Sequence, residues 1–157
     1  MSYLPPFFTI IRRLTEENVK FVVVGGVAAI IHGVPRATFD LDVVIEFSKI
    51  NVKRFNKILD EFNLRPTVPI NPLELANPRK RTEWIKKKNA KVINFKDPKG
   101  NYALDVLLIY NYSRIRKIEI EIEEIKFYVV DKNTLVKMKR EANRDVDIRD
   151  IKNLETL

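Results

Sequence analysis

The chain has 157 residues, 45% of them hydrophobic and 32% charged, with nine Phe, five Tyr and one Trp. That is enough apolar material for one packed core and too much for a disordered polymer. It has no cysteine and one histidine, which excludes a disulfide scaffold, thiolate chemistry and zinc sites built on several imidazoles, so that any metal must be held by oxygen.

The net charge of +8 is uneven, because residues 78–100 carry nine Lys or Arg against Glu83 and Asp97, a net of +7. Such a concentration attracts polyanions, and it equally suits the solvated face of a helix. The N-terminal residues lack the charged-then-apolar order of a signal peptide. The longest apolar run, residues 21–31, is half a membrane span. A soluble cytoplasmic protein without a membrane partner is expected.

In chain order, Phe8, Ile11, Leu14 and Val19 fall near helical spacing and predict a first helix over 7–19. Residues 21–24 are a buried strand that runs directly into Gly25-Gly26. A short helix over 27–31 follows, closed by Gly33, with Pro35 preventing its continuation. Residues 41–47 are β-branched and apolar and make a second strand. Phe55, Ile58, Leu59 and Phe62 share one face of a helix over 52–62, with Asn51 as its N-cap.

Residues 66–78 hold four prolines and read as an irregular connection, followed by a helix around 81–88. Strands over 91–95 and 103–109 are joined by Asp97-Pro98-Lys99-Gly100, whose Pro and Gly suit a tight reversal, so they should pair antiparallel. Strands over 117–122 and 126–130 form another pair, and helices over 133–142 and 145–154 close the chain. No internal repeat or interdomain linker is present, and a single domain over 1–157 is expected.

The strand over 41–47 and its approach are interrupted by carboxylates. Asp40 and Asp42 are two apart, so both side chains point to one face while Leu41 and Val43 point to the other. Two like charges that close repel each other at the edge of a core and call for a neutralising partner. Asp105, inside the apolar run Leu104-Asp105-Val106-Leu107-Leu108, is equally unexpected unless something faces it, and it is expected to join the first two. Three carboxylates are a hard donor set that suits magnesium or manganese bound together with substrate phosphates. Gly25-Gly26 at a strand end lets backbone amides approach a phosphate closely, although a Gly-Gly pair alone indicates only a tight turn.

Val24-Gly25-Gly26, thirteen residues, then Asp40-Leu41-Asp42, with Asp105 on a later strand, resembles the nucleotidyltransferase superfamily that includes DNA polymerase beta and the tRNA CCA-adding enzymes. Residues 25–42 look like its small stand-alone branch, including the nucleotidyltransferase toxins of AbiEii type. Met138-Lys139 followed by Arg144, Asp147 and Asp150 is similar to the closing helices of that branch, about 133–157 here.

The resemblance implies an α/β (α+β) fold with a mixed sheet flanked by helices. It implies binding of a nucleoside triphosphate with magnesium, and transfer of a nucleoside monophosphate to a hydroxyl with release of pyrophosphate. Asp40 and Asp42 would hold metals, and Asp105 would hold the second metal and help deprotonate the acceptor. The acceptor would be an RNA end, plausibly tRNA, or a hydroxyl on a partner protein, and membership of a toxin–antitoxin pair would bring an antitoxin as partner. A catalytically weak module that binds nucleotide or nucleic acid and acts through a partner is the alternative. Many active members have Ser where this chain has Gly26, so that hydroxyl contact is missing.

Further candidates surround the carboxylates. Arg36 either reaches the triphosphate with its planar fork of donors or forms a salt bridge to one of the aspartates. Thr38 bonds a phosphate or the strand backbone, and Lys139 and Arg144 would neutralise the leaving pyrophosphate. His32 reads as a helix cap or surface group and is assigned no catalysis. Asp147 and Asp150 read as ion-pair partners of Arg144 or Lys139. Trp84 either stacks on a base within the basic segment or anchors that segment from inside.

Overall fold

A computed structural model describes residues 5–157. A run of β-branched and aromatic residues makes strand β1 (Phe21–Val24), which is buried throughout. It pairs antiparallel with β2 (Asp40–Ile45) and parallel with β7 (Ile125–Val130). On its far side β2 pairs parallel with β5 (Ala103–Leu107). The antiparallel pair of β4 (Val92–Lys96) with β5 continues the sheet outward to the two-residue β3 (Arg65–Pro66). At the other end β6 (Lys117–Ile122) folds back antiparallel on β7. The result is one mixed seven-stranded sheet in the order β3-β4-β5-β2-β1-β7-β6.

Alternation along the strands divides the sheet into two faces. Leu41, Val43, Leu104, Val106, Ile93 and Phe95 point to one face and are 2% exposed or less. They meet α3 (Lys49–Glu61), where Phe55 stands edge-on to Phe95 with ring centroids 6.2 Å apart. Beside α3, α1 (Pro6–Glu16) sets Phe8 edge-on to Phe127 of β7 at 6.3 Å. Such pairs add a geometric preference to the burial itself. Asp40, Asp42, Asn94 and Asp105 occupy the alternate positions of their strands and point to the other face. There α2 (Gly25–Ile31) leads directly from β1 and packs on α5 (Lys132–Ala142), which in turn packs on α6 (Asp145–Glu155). The middle of the sheet therefore has an apolar underside and an acidic upper side.

Three local expectations change. The first helix stops at Glu16, because Asn18 adopts φ 58° and turns the chain into β1. Val19 is buried in that turn, its amide bonded to Leu14 O at 3.0 Å. The N-cap of α3 is Ser48, whose Oγ accepts the Asn51 amide, and not Asn51. Asn51 is 2% exposed. Its Oδ1 accepts Lys20 N at 2.7 Å, and its Nδ2 donates to Lys20 O at 3.0 Å and Glu46 O at 2.8 Å, stapling α3 to the ends of β1 and β2. The stretch 66–78 is less irregular than its prolines suggest. Asn71 caps a 3₁₀ turn over Pro72–Ala76 that sinks Leu75 into the core, and α4 begins at Pro78, extending to Lys88. No helix among the described residues is long and apolar enough to cross a membrane.

Candidate active site

The parallel register of β2 and β5 sets Asp42 directly beside Asp105, and the antiparallel register of β5 and β4 sets Asn94 beside Asp105 on the other side. Asn94, Asp105 and Asp42 thus form one row across three strands. The next row reads Lys96, Ala103, Asp40. Asp42 and Asp105 are half-buried neighbours, whereas Asp40 is exposed at the start of its strand. Asn94 Nδ2 donates to Asp105 Oδ1 at 2.7 Å.

Burial pushes the Asp42 carboxyl up to about 8, reinforced by the charge of Asp105, by a hydrogen bond with it and by the charge of Asp40; Arg144 opposes the shift from a distance. Burial also raises Asp105, while hydrogen bonds from Asn94 and Asp42 hold it back. Burial and mutual repulsion thus favour a protonated form of the pair, as expected of like charges in a poorly solvated place.

Among the described residues no cationic side chain neutralises this pair by contact, and Gly25 presses on it. A Cβ at Gly25, which holds φ +65°, would lie 2.0 Å from Asp42 Oδ2. The donors are hard oxygens beside open cleft, and this chemistry fits a magnesium or manganese ion. Among the described residues, no three His, Cys, Asp or Glu side chains are arranged to hold an ion as they stand.

The pair lies in a cleft of about 400 Å³ bordered by Gly25, Asn94, Lys139 and Arg144, with Leu107, Leu135 and Met138 giving an apolar wall. At its outer end Tyr110 donates to Glu141 at 2.9 Å. Against the usual solvation of basic residues on terminal helices, Lys139 is 4% exposed. Its Nζ lies 2.8 Å from Asp150 Oδ2 and 3.6 Å from Asp147 Oδ1. Arg144 clasps Asp147 through Nε at 2.7 Å and Nη2 at 3.2 Å. Burial opposes ionisation of Asp147, but the Arg144 guanidinium and backbone hydrogen bonds, with the charges of Arg144 and Lys139, outweigh it and hold the carboxyl below its ordinary range.

Arg36 makes the salt bridge anticipated for it, but to Asp150 of α6, through Nη1 at 2.6 Å, and not to Asp40 or Asp42. The bare Gly26 makes room for this crossing. A Cβ there would stand 3.3 Å from the Arg36 guanidinium carbon and 3.2 Å from Thr38 Oγ1. Thr38 makes no hydrogen bond among the described residues, so its hydroxyl is not spent on the strand backbone. His32 ends α2, with Nε2 donating to Val130 O at 2.8 Å, and it does not border the cleft.

The basic segment splits into two groups. Arg81 lies 4.3 Å from the Phe47 ring centroid and bonds Leu75 O, and Lys80 pairs with Glu74 at 3.5 Å. Arg79, Lys86, Lys87, Lys88, Lys91, Lys96 and Lys99 are exposed, and among the described residues none has an ion pair. Lys91 borders the cleft. Trp84 is 5% exposed, so it anchors α4 from inside and presents no face for stacking. Asn94 was not among the sequence candidates. Asn94 alternates with the buried Ile93 and Phe95, so a polar residue there is ordinary for a strand and carries no signal until the register sets it beside Asp105.

Several solved structures share the fold. The lincomycin-bound lincosamide adenylyltransferase LnuA is 15% identical, with 95% of this chain and 94% of that chain covered at a TM-score of 0.66. ANT(2'')-Ia in complex with adenylyl-2''-tobramycin is 12% identical, covering 96% and 86%, at 0.62. An antigenic nucleotidyltransferase-like protein from Paracoccidioides brasiliensis is 16% identical, covering 93% and 72%, at 0.57. No curated protein matches the sequence. Residues 7–157 match the family described as "Nucleotidyltransferase of unknown function (DUF6036)". The mixed sheet, the cleft above its central strands and the near full-length sequence match agree: this chain belongs to the DUF6036 nucleotidyltransferases.

Proposed function

We propose that this chain is a metal-dependent enzyme that transfers a nucleoside monophosphate from a nucleoside triphosphate to a hydroxyl, with residues 1–157 acting as one catalytic domain. The observation that carries the reading is the side-by-side placement of Asp42 and Asp105 in a cleft that Lys139 and Arg144 also border. Carboxylates and cations lining one cleft suit a ligand that is itself a polyanion chelating a cation.

In this reading the triphosphate lies against the Gly25-Gly26 backbone, with Arg36, Thr38, Lys139 and Arg144 as donors, and Leu107, Leu135 and Met138 offer apolar surface to the base. Asp40, Asp42 and Asp105 would hold magnesium or manganese, which when bound lowers the barrier by polarising the attacking hydroxyl and stabilising the leaving oxygens. Asp105, oriented by Asn94, accepts the hydroxyl proton. The hydroxyl oxygen bonds the α-phosphorus, the bond to the bridging oxygen of the β-phosphate breaks, and Lys139 and Arg144 meet the charge gathering on pyrophosphate.

The exposed, unpaired Lys86, Lys87, Lys88, Lys91 and Lys96 favour an anionic acceptor, an RNA end such as that of tRNA, over a protein hydroxyl. Likeness of residues 25–42 to AbiEii-type toxins extends the reading to a toxin silenced by an antitoxin. Growth arrest on expression of the wild type but not of Asp42→Asn tests that extension.

The deciding experiment incubates each α-labelled nucleoside triphosphate and magnesium with total tRNA, and separately with cell protein, using the wild type and Asp42→Asn. Label on RNA with the wild type alone is expected. Equal labelling by both forms, or none by either, defeats the enzyme and leaves the binding module.

A further inference from the structure

We propose that Asp150 is a positioning residue for the triphosphate, holding Arg36 and Lys139 in their binding poses before any nucleotide arrives; this rests on the nucleotidyltransferase reading and deepens it.

Asp150 and Arg36 do not border the cleft, whereas Lys139 does; one Asp150 oxygen, Oδ2, receives Arg36 Nη1, which packs over Gly26, at 2.6 Å and Lys139 Nζ at 2.8 Å. Asp147, one turn earlier on α6, holds Arg144 and lies 3.6 Å from Lys139 Nζ. Three cations from three places in the chain, the approach to β2, the body of α5 and the turn before α6, are tied to two carboxylates on one helix. The carboxylates are 1% and 2% exposed.

Burying two carboxylates and a lysine is expensive, and well-packed apolar side chains would fasten α6 at lower cost. What the charged arrangement adds is direction. Arg and Lys have more rotamer freedom to lose than almost any other side chain. A cation already fixed by Asp150 loses that freedom on folding, and binding then proceeds without that loss.

The tether does not compete with the ligand. Asp150 is too deep for a phosphate to displace, and Arg36 keeps Nη2 without a protein acceptor while Nη1 is engaged. Three cations against two carboxylates leave one positive charge in excess within this cluster, of whose cations Lys139 and Arg144 border the cleft.

The test measures calorimetric affinity for inorganic tripolyphosphate with magnesium, a probe that removes any dependence on the base. The wild type is compared with Asp150→Asn, Asp150→Glu, Arg36→Gln and the Arg36→Gln/Asp150→Asn double variant. Circular dichroism and thermal melting report the fold separately. Positioning predicts at least a tenfold loss of tripolyphosphate affinity in Asp150→Asn, with affinity for free nucleosides unchanged and the double variant no worse than the weaker single one. Asp150→Glu keeps the charge but moves it, so it should also weaken binding at least fivefold, and it carries the test if the Asn variant does not fold. Unchanged or tighter tripolyphosphate binding in a folded Asp150 variant, or an equal loss for nucleosides, overturns the proposal while leaving the enzyme reading intact. A wild type that binds no tripolyphosphate overturns both.

Discussion

Gly25 and Asp42 share a single space: the smallest possible side chain at position 25 would stand 2.0 Å from Asp42 Oδ2, at a backbone φ of +65°. Gly25→Ala therefore strains the backbone by about 1–2 kcal/mol and drives the carboxylate aside. The variant is expected to stay folded in thermal melting and to lose transfer by about 100-fold, since a catalytic group displaced by about 1 Å is costly. Wild-type rates in a folded Gly25→Ala protein would refute the contact's importance.

The proton on Asp42 makes metal-free stability depend on pH. The folded-state value, about 8, exceeds the ordinary 3.8, so between these values the native state binds more protons than the unfolded chain. The contribution of Asp42 to stability is full below about pH 4, is lost as pH rises towards 8, and then levels. Asp42→Asn should flatten that slope and melt higher than the wild type at pH 8 in chelator, whereas magnesium should restore the wild type there. Melting curves in chelator across this range provide the check.

Asn94 holds Asp105 through one 2.7 Å hydrogen bond. Asn94→Ala should lower kcat by about tenfold or more, as loss of a partner that orients a metal-binding carboxylate typically does. KM for the nucleoside triphosphate should change little, and steady-state kinetics separate the two.

The lysines at the end of α4 are exposed and, among the described residues, have no ion pair. Lys86→Glu, Lys87→Glu and Lys88→Glu together should weaken binding to single-stranded RNA. They should also reduce the slope of log affinity against log salt by about 2, for three phosphate contacts removed. Tripolyphosphate binding should be unaffected. An unchanged salt slope would place the RNA elsewhere or nowhere.

Asn51 fills all three of its hydrogen bonds in the interior. Asn51→Ala strands the Glu46 carbonyl and the Lys20 amide, while Lys20 O keeps Glu46 N at 3.2 Å, and it should cost about 2–4 kcal/mol in denaturant unfolding. Its site lies on the far side of the sheet from the cleft elements, so activity per folded molecule should persist.

All the strands but the two-residue β3 are legible because their signals are local. Residues 21–24 are apolar without interruption, and carboxylates at 40, 42 and 105 break otherwise apolar runs. What escaped the sequence depends on pairing between distant segments. Nothing near Asn94 announces Asp105 until the antiparallel register sets them side by side. Nothing near Arg36 announces Asp150, 114 residues away. Asparagine favours caps and so points to Asn51, but Ser48 fills that role and the Asn51 amide satisfies backbone groups at the ends of β1 and β2. The basic segment reads as uniform charge, while the fold commits Arg81 and Lys80 to packing and leaves the others in solvent.

The parallel pairing of β1 with β7 has an evolutionary corollary. It hangs α5 and α6 from the sheet's centre, so the carboxylate pair is encoded before Leu108, while Lys139 and Arg144, the cleft's cations other than Lys91, come after Val130. A chain severed between those points and reassembled from two pieces would show whether the halves can be inherited separately. Drift in the later half would retune the grip on phosphate and leave the carboxylate row untouched.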